Sequence, residues 1–460
     1  MTKLKDLYST IQEDLCPKDL SGESGFSRHE RNIRINIYHG IANIISLNLA
    51  APFIGIYAIK IGASNLQVGL LSSGPALVSL LCMIPGGKYM DRQAAQKKTL
   101  SSLIFFHRLF YFLIALIPFF TEDKRASLLV AAVALMNIPG SVFNVGWQAY
   151  ISKVIPASRR ADAFAARNRL MNLAGTIVVL VTGRVIDAVR FPVGYQIVFA
   201  GAFAMALVEI WVFGHIDQGV SVSSEPQREP LRELPAGQDM PGSNGTGKSD
   251  NGILQSIIND IRQVFKNGPF VRFMLASLVF HFSWQTPWPL FTLYQVKELG
   301  ANNTWVSLLS LANTGGSLVG YGFWARMLNK HGNLMTLFMS SIWIFIVPTV
   351  YAFSKSLATI AVFNLLTGAI FSGVNLALFN ALLDVTPDSN KATYIAYYTT
   401  AINASAIVAP VIGVRLNDLF GFFWAFLICA ALRVIGSLMF LLVNYFEKRM
   451  PVPGNRQVSM

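Results

Sequence analysis

Residues 62–72 read Gly-Ala-Ser-Asn-Leu-Gln-Val-Gly-Leu-Leu-Ser, and residues 300–310 read Gly-Ala-Asn-Asn-Thr-Trp-Val-Ser-Leu-Leu-Ser. At an offset of 238 residues, Gly62, Ala63, Asn65, Val68, Leu70, Leu71 and Ser72 recur as Gly300, Ala301, Asn303, Val306, Leu308, Leu309 and Ser310, seven identities in eleven positions. A second offset, 231, matches Ser141, Asn144, Pro156, Asn172, Arg184 and Asp187 with Ser372, Asn375, Pro387, Asn403, Arg415 and Asp418. Polar residues and proline are scarce in such apolar surroundings, so their coincidence at a fixed spacing marks an internal duplication.

Around these repeats the chain is apolar. Of its 460 residues 53% are hydrophobic and 13% charged, where a soluble protein carries about a quarter charged residues. Runs of the ~20 residues a helix needs to cross a bilayer fall at about 35–59, 66–86, 99–120, 126–151, 166–188, 193–214, 269–295, 304–326, 334–353, 358–384, 393–416 and 421–445. The expected fold class is an all-α membrane protein of twelve transmembrane helices in two pseudo-symmetric six-helix bundles. Its expected parts are a tail at 1–34, a bundle at 35–214, a linker at 215–268, a second bundle at 269–446 and a tail at 447–460.

The net charge of +13 follows topology rather than a basic face for nucleic acid. Lys3, Lys5, Lys18, Arg28, Arg31 and Arg34 precede the first span, Lys88, Arg92, Lys97 and Lys98 follow the second, and Lys153, Arg159, Arg160 and Arg167 follow the fourth. By the positive-inside rule both termini are expected to be cytoplasmic, in a multi-pass protein of the cell (inner) membrane. No secretory signal precedes the first span, which is expected to direct insertion itself. Cys16, Cys82 and Cys429 stand too far apart for a disulfide framework or a metal cluster. Metal-ligand spacing, a nucleophile elbow and a phosphate loop are absent from the sequence, so neither an enzyme nor a cofactor is expected. Residues 218–252 are rich in Pro, Gly and Ser and read as a flexible linker. Leu254, Ile257, Ile258, Ile261, Val264 and Phe265 then keep helical spacing, as an interfacial amphipathic helix or a plain connector would.

After the second span stand Gly87, Asp91, Arg92, Lys97 and Lys98, which resemble the G-x-x-x-D-R-x-G-R-R loop of the major facilitator superfamily. The second Gly of that pattern is replaced here by Ala, and the later copy from Gly322 through Arg326 to Lys330 lacks the acid. Arg159, Arg160, Arg167 and Arg169 look like the basic start of the fifth helix in a bacterial branch of largely unassigned substrate. The resemblance implies alternating access by rocking of the two bundles, a solute site near the midplane, and a latch role for Gly87, Asp91 and Arg92; the alternative for these three is a tight turn that enforces topology. It also implies that helices 1, 4, 7 and 10 line the cavity while 3, 6, 9 and 12 are peripheral. The R-x-x-x-G of the fourth span and the G-x-x-x-G-P-x-x-G of the fifth, found in many members, are missing, so coupling and direction stay open.

Polar residues at helical spacing in the lining helices are the solute-binding candidates, since a polar atom facing lipid is costly. They are His39, Asn43 and Ser46; Asn137, Ser141, Asn144 and Gln148; His281, Trp284, Gln285 and Trp288; and Asn364, Ser372 and Asn375. The amide stripe of the fourth span has a second reading as interhelical packing, and the Trp pair as an aromatic belt. Tyr394, Tyr397 and Tyr398 are gate candidates, and His39 and His281 are candidates for proton coupling. Because these helices hold no carboxylate, Arg or Lys, the expected partner is a small neutral or zwitterionic solute, with protons as a second partner, carried by a monomer embedded in lipid. Of the charges in apolar runs, Arg108 and Arg433 are read as buried charges, Arg433 facing protein and pairing with a carboxylate or carbonyls; snorkelling to the headgroups is the alternative open to Arg108 and Glu209. A lipid or lipid-linked glycoside flippase, and a transport-inactive sensor or scaffold, are the alternatives.

Overall fold

The computed structural model describes residues 28–217 except 94 and 156, residue 262, and residues 264–387 and 391–449. The linker at 218–252, most of the amphipathic segment and the side chains of Asp91 and Gln148 lie outside the described residues. Among the described residues every regular element is helical, and the elements assemble into twelve rods.

The first rod, α1, runs Arg28–Ala50, passes through a tight turn at Ala51–Phe53 and ends as Ile54–Lys60. Next come α2 (Asn65–Asp91), α3 (Gln96–Ala115), α4 (Glu122–Leu135 continued as Asn137–Val154), α5 (Ala157–Ala188) and α6 (Val193–Gly214). The second set opens with α7, made of Gly268–Gln285, Trp288–Leu293 and a π-helical turn at Tyr294–Glu298. It continues with α8 (Asn303–His331), α9 (Asn333–Ser341, Ile342–Phe345 and Ile346–Phe353) and α10 (Leu357–Val385). The last helical stretch, Lys391–Arg449, is two rods, α11 and α12, divided at Gly421, whose φ of 73° and ψ of 169° leave the helical region. Nine helical stretches among the described residues are long and apolar enough to cross a membrane by length and composition, and Tyr394–Glu447 among them contains both α11 and α12. With α7 and α8 they make a multi-pass membrane protein. In α7 the apolar run is interrupted where Pro287 and Pro289 supply no N–H to the helical ladder.

Residues 62–65 and 300–303 account for the repeat at the 238-residue offset. Gly62 and Gly300 have φ of 89° and 65°, left-handed values that glycine adopts without a Cβ penalty and that stop α1 and α7. Ser64 then caps α2 by accepting from the Gln67 N–H, with Gln67 bonding back to Ser64 N, and Asn302 caps α8 by accepting from Trp305 N. The same stop-and-restart signal therefore turns the chain at equivalent places in both halves.

Because the crossings are even in number, α1 begins and α12 ends at one face, the termini face. The loops after odd-numbered helices form the far face. In the first half α6 packs against α1 and α3, and α5 against α1; in the second, α10 packs on α8 and α9, and α7 on the α11–α12 pair. The halves meet along α2 with α11 and α5 with α8. Every hydrogen bond between halves among the described residues lies toward the far face, from Asn65–Asp418 and Lys297–Asn65 to the Asp187–Asn303 group and Ser307 with Val179.

Candidate functional site

Buried charge gathers in the first half. Glu209, with no exposed surface, lies on the inner face of α6. Its Oε1 accepts from Asn43 Nδ2 at 2.8 Å and stands 3.5 Å from His39 Nε2, both on α1. Its Oε2 is 3.5 Å from Arg108 Nε on α3. Arg108 also donates from Nη1 to the Tyr111 hydroxyl at 3.3 Å. The three helices come this close because α6 presents Ala202 and Ala206, both fully buried, and Ser46 of α1 donates to the Ala202 carbonyl at 2.8 Å.

A pocket of about 240 Å³ opens beside this cluster, lined among others by His39, Asn43, His107, Asn144, Trp147 and Arg167. Counted from the helix ends at the termini face, these residues lie about two to four helical turns in. Asn144 stands exposed at its edge. Arg167 enters from α5, 8% exposed, its guanidinium 4.5 Å from the centre of the Trp147 ring and its Nε donating to the Asn36 carbonyl at 3.3 Å. Among the described residues no carboxylate lies within ion-pairing distance of Arg167. Two glycines make the space: a Cβ on Gly40 would come within 2.6 Å of Arg167 Nε, and one on Gly140 within 2.3 Å of His107 Nδ1.

This arrangement bears on two expectations. Of the alternatives for Arg108 and Glu209, the structure has them buried against each other and not snorkelled, since α6 wedges between α1 and α3 instead of lying at the rim. The polar space is also not free of carboxylate, Arg and Lys, because α3, α5 and α6 contribute Arg108, Arg167 and Glu209 to it. Sequence reasoning set α3 and α6 aside as peripheral. Glu209 and Arg108 were nevertheless the first half's intramembrane charges of opposite sign, and that opposition is the signal from which their pairing could have been drawn.

The remaining candidates divide. His39, Asn43 and Asn144 come together at the pocket. Ser46 is used on the α6 backbone, Asn137 donates to the Val133 carbonyl, and Ser141 donates to Ser79 of α2 at 2.9 Å. In the second half His281 packs against Trp284 and Tyr398, with Nδ1 2.8 Å from the Ser277 carbonyl. Gln285 accepts from Ser405, and Trp288 and Asn375 are exposed. Asn364 donates to the Leu309 carbonyl and Ser372 to the Ala369 carbonyl. Tyr394 packs edge-on to Phe270, Tyr398 stacks on Phe273, and Tyr397 joins the same cluster. None of these second-half residues lines the pocket around Glu209. Gly87 lies in the last turns of α2 against Val145 of α4, and Arg92 follows, exposed. Arg433 is fully buried, donating from Nη1 to the Ile344 carbonyl at 3.1 Å and from Nη2 to the Trp284 carbonyl at 3.0 Å, so that α12 holds α9 and α7 where each is irregular.

The sequence profile of the Major Facilitator Superfamily matches residues 40–302 and again 273–458. The chain belongs to that superfamily. Among curated proteins this MFS protein is 22% identical to a Na(+), Li(+), K(+)/H(+) antiporter of Planococcus maritimus over 440 residues, 91% of this chain and 97% of the other. Among solved structures it is similar to a bacterial homolog of the human lysosomal transporter Spinster, at a TM-score of 0.63 and 14% identity, covering 94% of this chain and 100% of that one. It is also similar to the nucleoside transporter NupG, at a TM-score of 0.61 and 10% identity, covering 90% and 99%. These likenesses establish the fold and, with the family, a transporter of solutes.

Proposed function

We propose that this MFS protein is a secondary transporter for a small carboxylate-bearing solute, zwitterionic in the first instance, held in the pocket between α1, α3, α4, α5 and α6. The observation that carries the reading is Arg167. It is a buried guanidinium stacked on Trp147 with one face toward a polar space and no described carboxylate against it. A guanidinium so placed is suited to a carboxylate or another planar anion. The fixed charges at the pocket are two cations, Arg108 and Arg167, against one anion, Glu209, which disfavours a simple cation as the cargo.

Glu209 is the natural coupling group. It is shared by Arg108, His39 and Asn43, so gain of a proton would release Arg108 toward the pocket. The distant antiporter relative, which exchanges cations for protons by its description, supports proton coupling without supplying the cargo. If the basic loops mark the cytoplasmic side, the termini face is cytoplasmic and the described conformation is closed outside. A flippase reading draws on an apolar groove of about 600 Å³ between α1 and α6 on the lipid side. The seam behind that groove is closed by the Asn43–Glu209 and Ser46–Ala202 bonds, which favours the enclosed solute.

Counterflow in proteoliposomes tests the proposal with amino acids, monocarboxylates, nucleosides and alkali cations as the panel. Arg167→Gln should abolish exchange of carboxylate-bearing solutes, and Arg167→Lys should retain part of it with a raised KM. Exchange restricted to uncharged solutes, or indifferent to Arg167→Gln in a correctly inserted protein, would overturn it.

A further inference from the structure

We infer that Asp187 and Asp418 are positioning residues for transport: each clasps the opposite half at the far face, and release of both is what admits solute from that side. The inference goes beyond the pocket and does not rest on it.

The clasps are crosswise copies of one another. Asp187, in the last turn of α5, reaches Asn303 at the start of α8; Asp418, near the end of α11, reaches Asn65 at the start of α2. Asp187 and Asp418 are equivalent at the 231-residue offset, and Asn65 and Asn303 at the 238-residue offset. Each half thus supplies one acid and one amide, and each pair joins the two halves. Beneath them the seams are matched as well. Gly183 of α5 lies against Ser307 of α8, and their equivalents Val414 of α11 and Gly69 of α2 also touch. In each seam a single glycine permits the approach: a Cβ on Gly183 would sit 2.7 Å from the Asn303 carbonyl oxygen, and one on Gly69 3.0 Å from Val414 Cγ2.

The two clasps differ in strength. Asp187 Oδ1 accepts from Asn303 N at 3.2 Å and Nδ2 at 2.8 Å, while Oδ2 accepts from Thr304 N and Oγ1, both at 2.7 Å. It therefore caps the α8 N-terminus from the other half of the molecule, satisfying N–H groups that have no partner within the helix and placing an anion at the positive end of its dipole. Tyr195 adds a 2.7 Å bond from its hydroxyl to Asn303 Oδ1. Asp418 accepts only from Asn65 Nδ2, at 2.8 Å, and Lys297 donates to Asn65 Oδ1 at the same distance. Asp187 and Asn65 lie at the solvent edge, so water can replace these bonds as the halves part. Charge-assisted bonds of this kind are strong enough to set a two-state equilibrium yet reversible within a transport cycle.

The experiment places spin labels on the far-face loops of the two halves, at Arg190→Cys and Lys355→Cys in a background of Cys16→Ser, Cys82→Ser and Cys429→Ala. The distance distribution is then read in lipid nanodiscs. Asp187→Ala should raise the ratio of long to short distances by about tenfold or more, the effect of losing several accepted bonds, and Asp418→Ala by about threefold. Asp187→Asn should fall between Asp187→Ala and native, because it keeps one acceptor oxygen for four donors. Asp418→Asn should leave the distribution as it is, because one amide oxygen can accept the one bond. Gly183→Ala keeps every charge and should shift the distribution the same way as Asp187→Ala by pushing α5 off α8. An unchanged distribution in Asp187→Ala, with the variant monodisperse and Gly183→Ala shifted, overturns the role of the carboxylate. An unchanged distribution in both variants overturns the seam itself. If Asp187→Ala fails to fold, the contrast of Asp187→Asn with Asp418→Asn decides, and equal distributions for the two count against the inference.

Discussion

Replacing Glu209 by Gln removes the charge from the most enclosed acid in the first half while keeping an oxygen for Asn43 to donate to. The cost can be worked from one distance. Arg108 Nε and Glu209 Oε2 are 3.5 Å apart, with the side chains 5% and 0% exposed. At an effective dielectric of about 20 the attraction is ~332/(20 × 3.5), or about 5 kcal/mol. Breaking one side of a buried pair leaves an uncompensated charge, and the expected loss is on the order of 3–5 kcal/mol. The Glu209→Gln protein should therefore unfold markedly earlier than the native one, and Arg108→Gln should do the same. The double variant Arg108→Gln/Glu209→Gln leaves no charge of that pair stranded and should recover much of the loss, with a coupling energy of roughly 3 kcal/mol. Heating in mixed micelles with a thiol-reactive dye, in a background of Cys16→Ser and Cys82→Ser, reads this directly, because the buried Cys429 becomes reactive only on unfolding. If the single variants are as stable as the native protein, or if the double variant loses the sum of both, the pair does not hold α3 to α6 and the reasoning fails.

Three further outcomes follow from other sites. Arg433→Met should cost on the order of 2–4 kcal/mol, since it abandons two carbonyls in α7 and α9 that lie where neither helix is regular; Arg433→Lys should recover less than half, and denaturation monitored by tryptophan fluorescence checks both. Gly62→Ala and Gly300→Ala should each cost about 1–2 kcal/mol through the backbone alone, because a Cβ there meets nothing within 4 Å; a much larger loss in thermal unfolding would point to a contact not accounted for. Gly140→Ala, whose Cβ would fall 2.3 Å from His107 Nδ1, should displace that ring into the pocket and raise the KM for exchange while the protein still inserts, as counterflow would report.

The helices and their duplication were legible because the signals are local. A bilayer-length apolar run states a span by itself, and the glycine that stops α1 or α7 sits beside the cap that starts α2 or α8. The break in α7 was equally open to reading from Pro287 and Pro289. The pocket was less so, because it depends on which neighbour each helix face meets. Helical spacing put Asn137, Ser141 and Asn144 on one stripe of α4, yet Asn137 is spent on its own backbone and Ser141 on α2, and only Asn144 reaches the pocket. Periodicity fixes direction about a helix axis and says nothing of the distance to what lies there. Glu209 stood out as a charge in an apolar run, but its place at the pocket was hidden for the same reason: its partners on α1 and α3 are 166 and about 100 residues away in sequence, brought near by the small residues of α6.

The crossed pairing of Asp187 with Asn303 and Asp418 with Asn65 also bears on descent. Two identical six-helix proteins meeting about a two-fold axis necessarily present each contact twice, so that the acid of one copy faces the amide of the other. Fusion of such copies would leave a pair of equal contacts inside one chain, each then free to diverge. The four bonds gathered by one aspartate and the single bond of its counterpart are the mark such drift leaves on an isologous interface that has become internal.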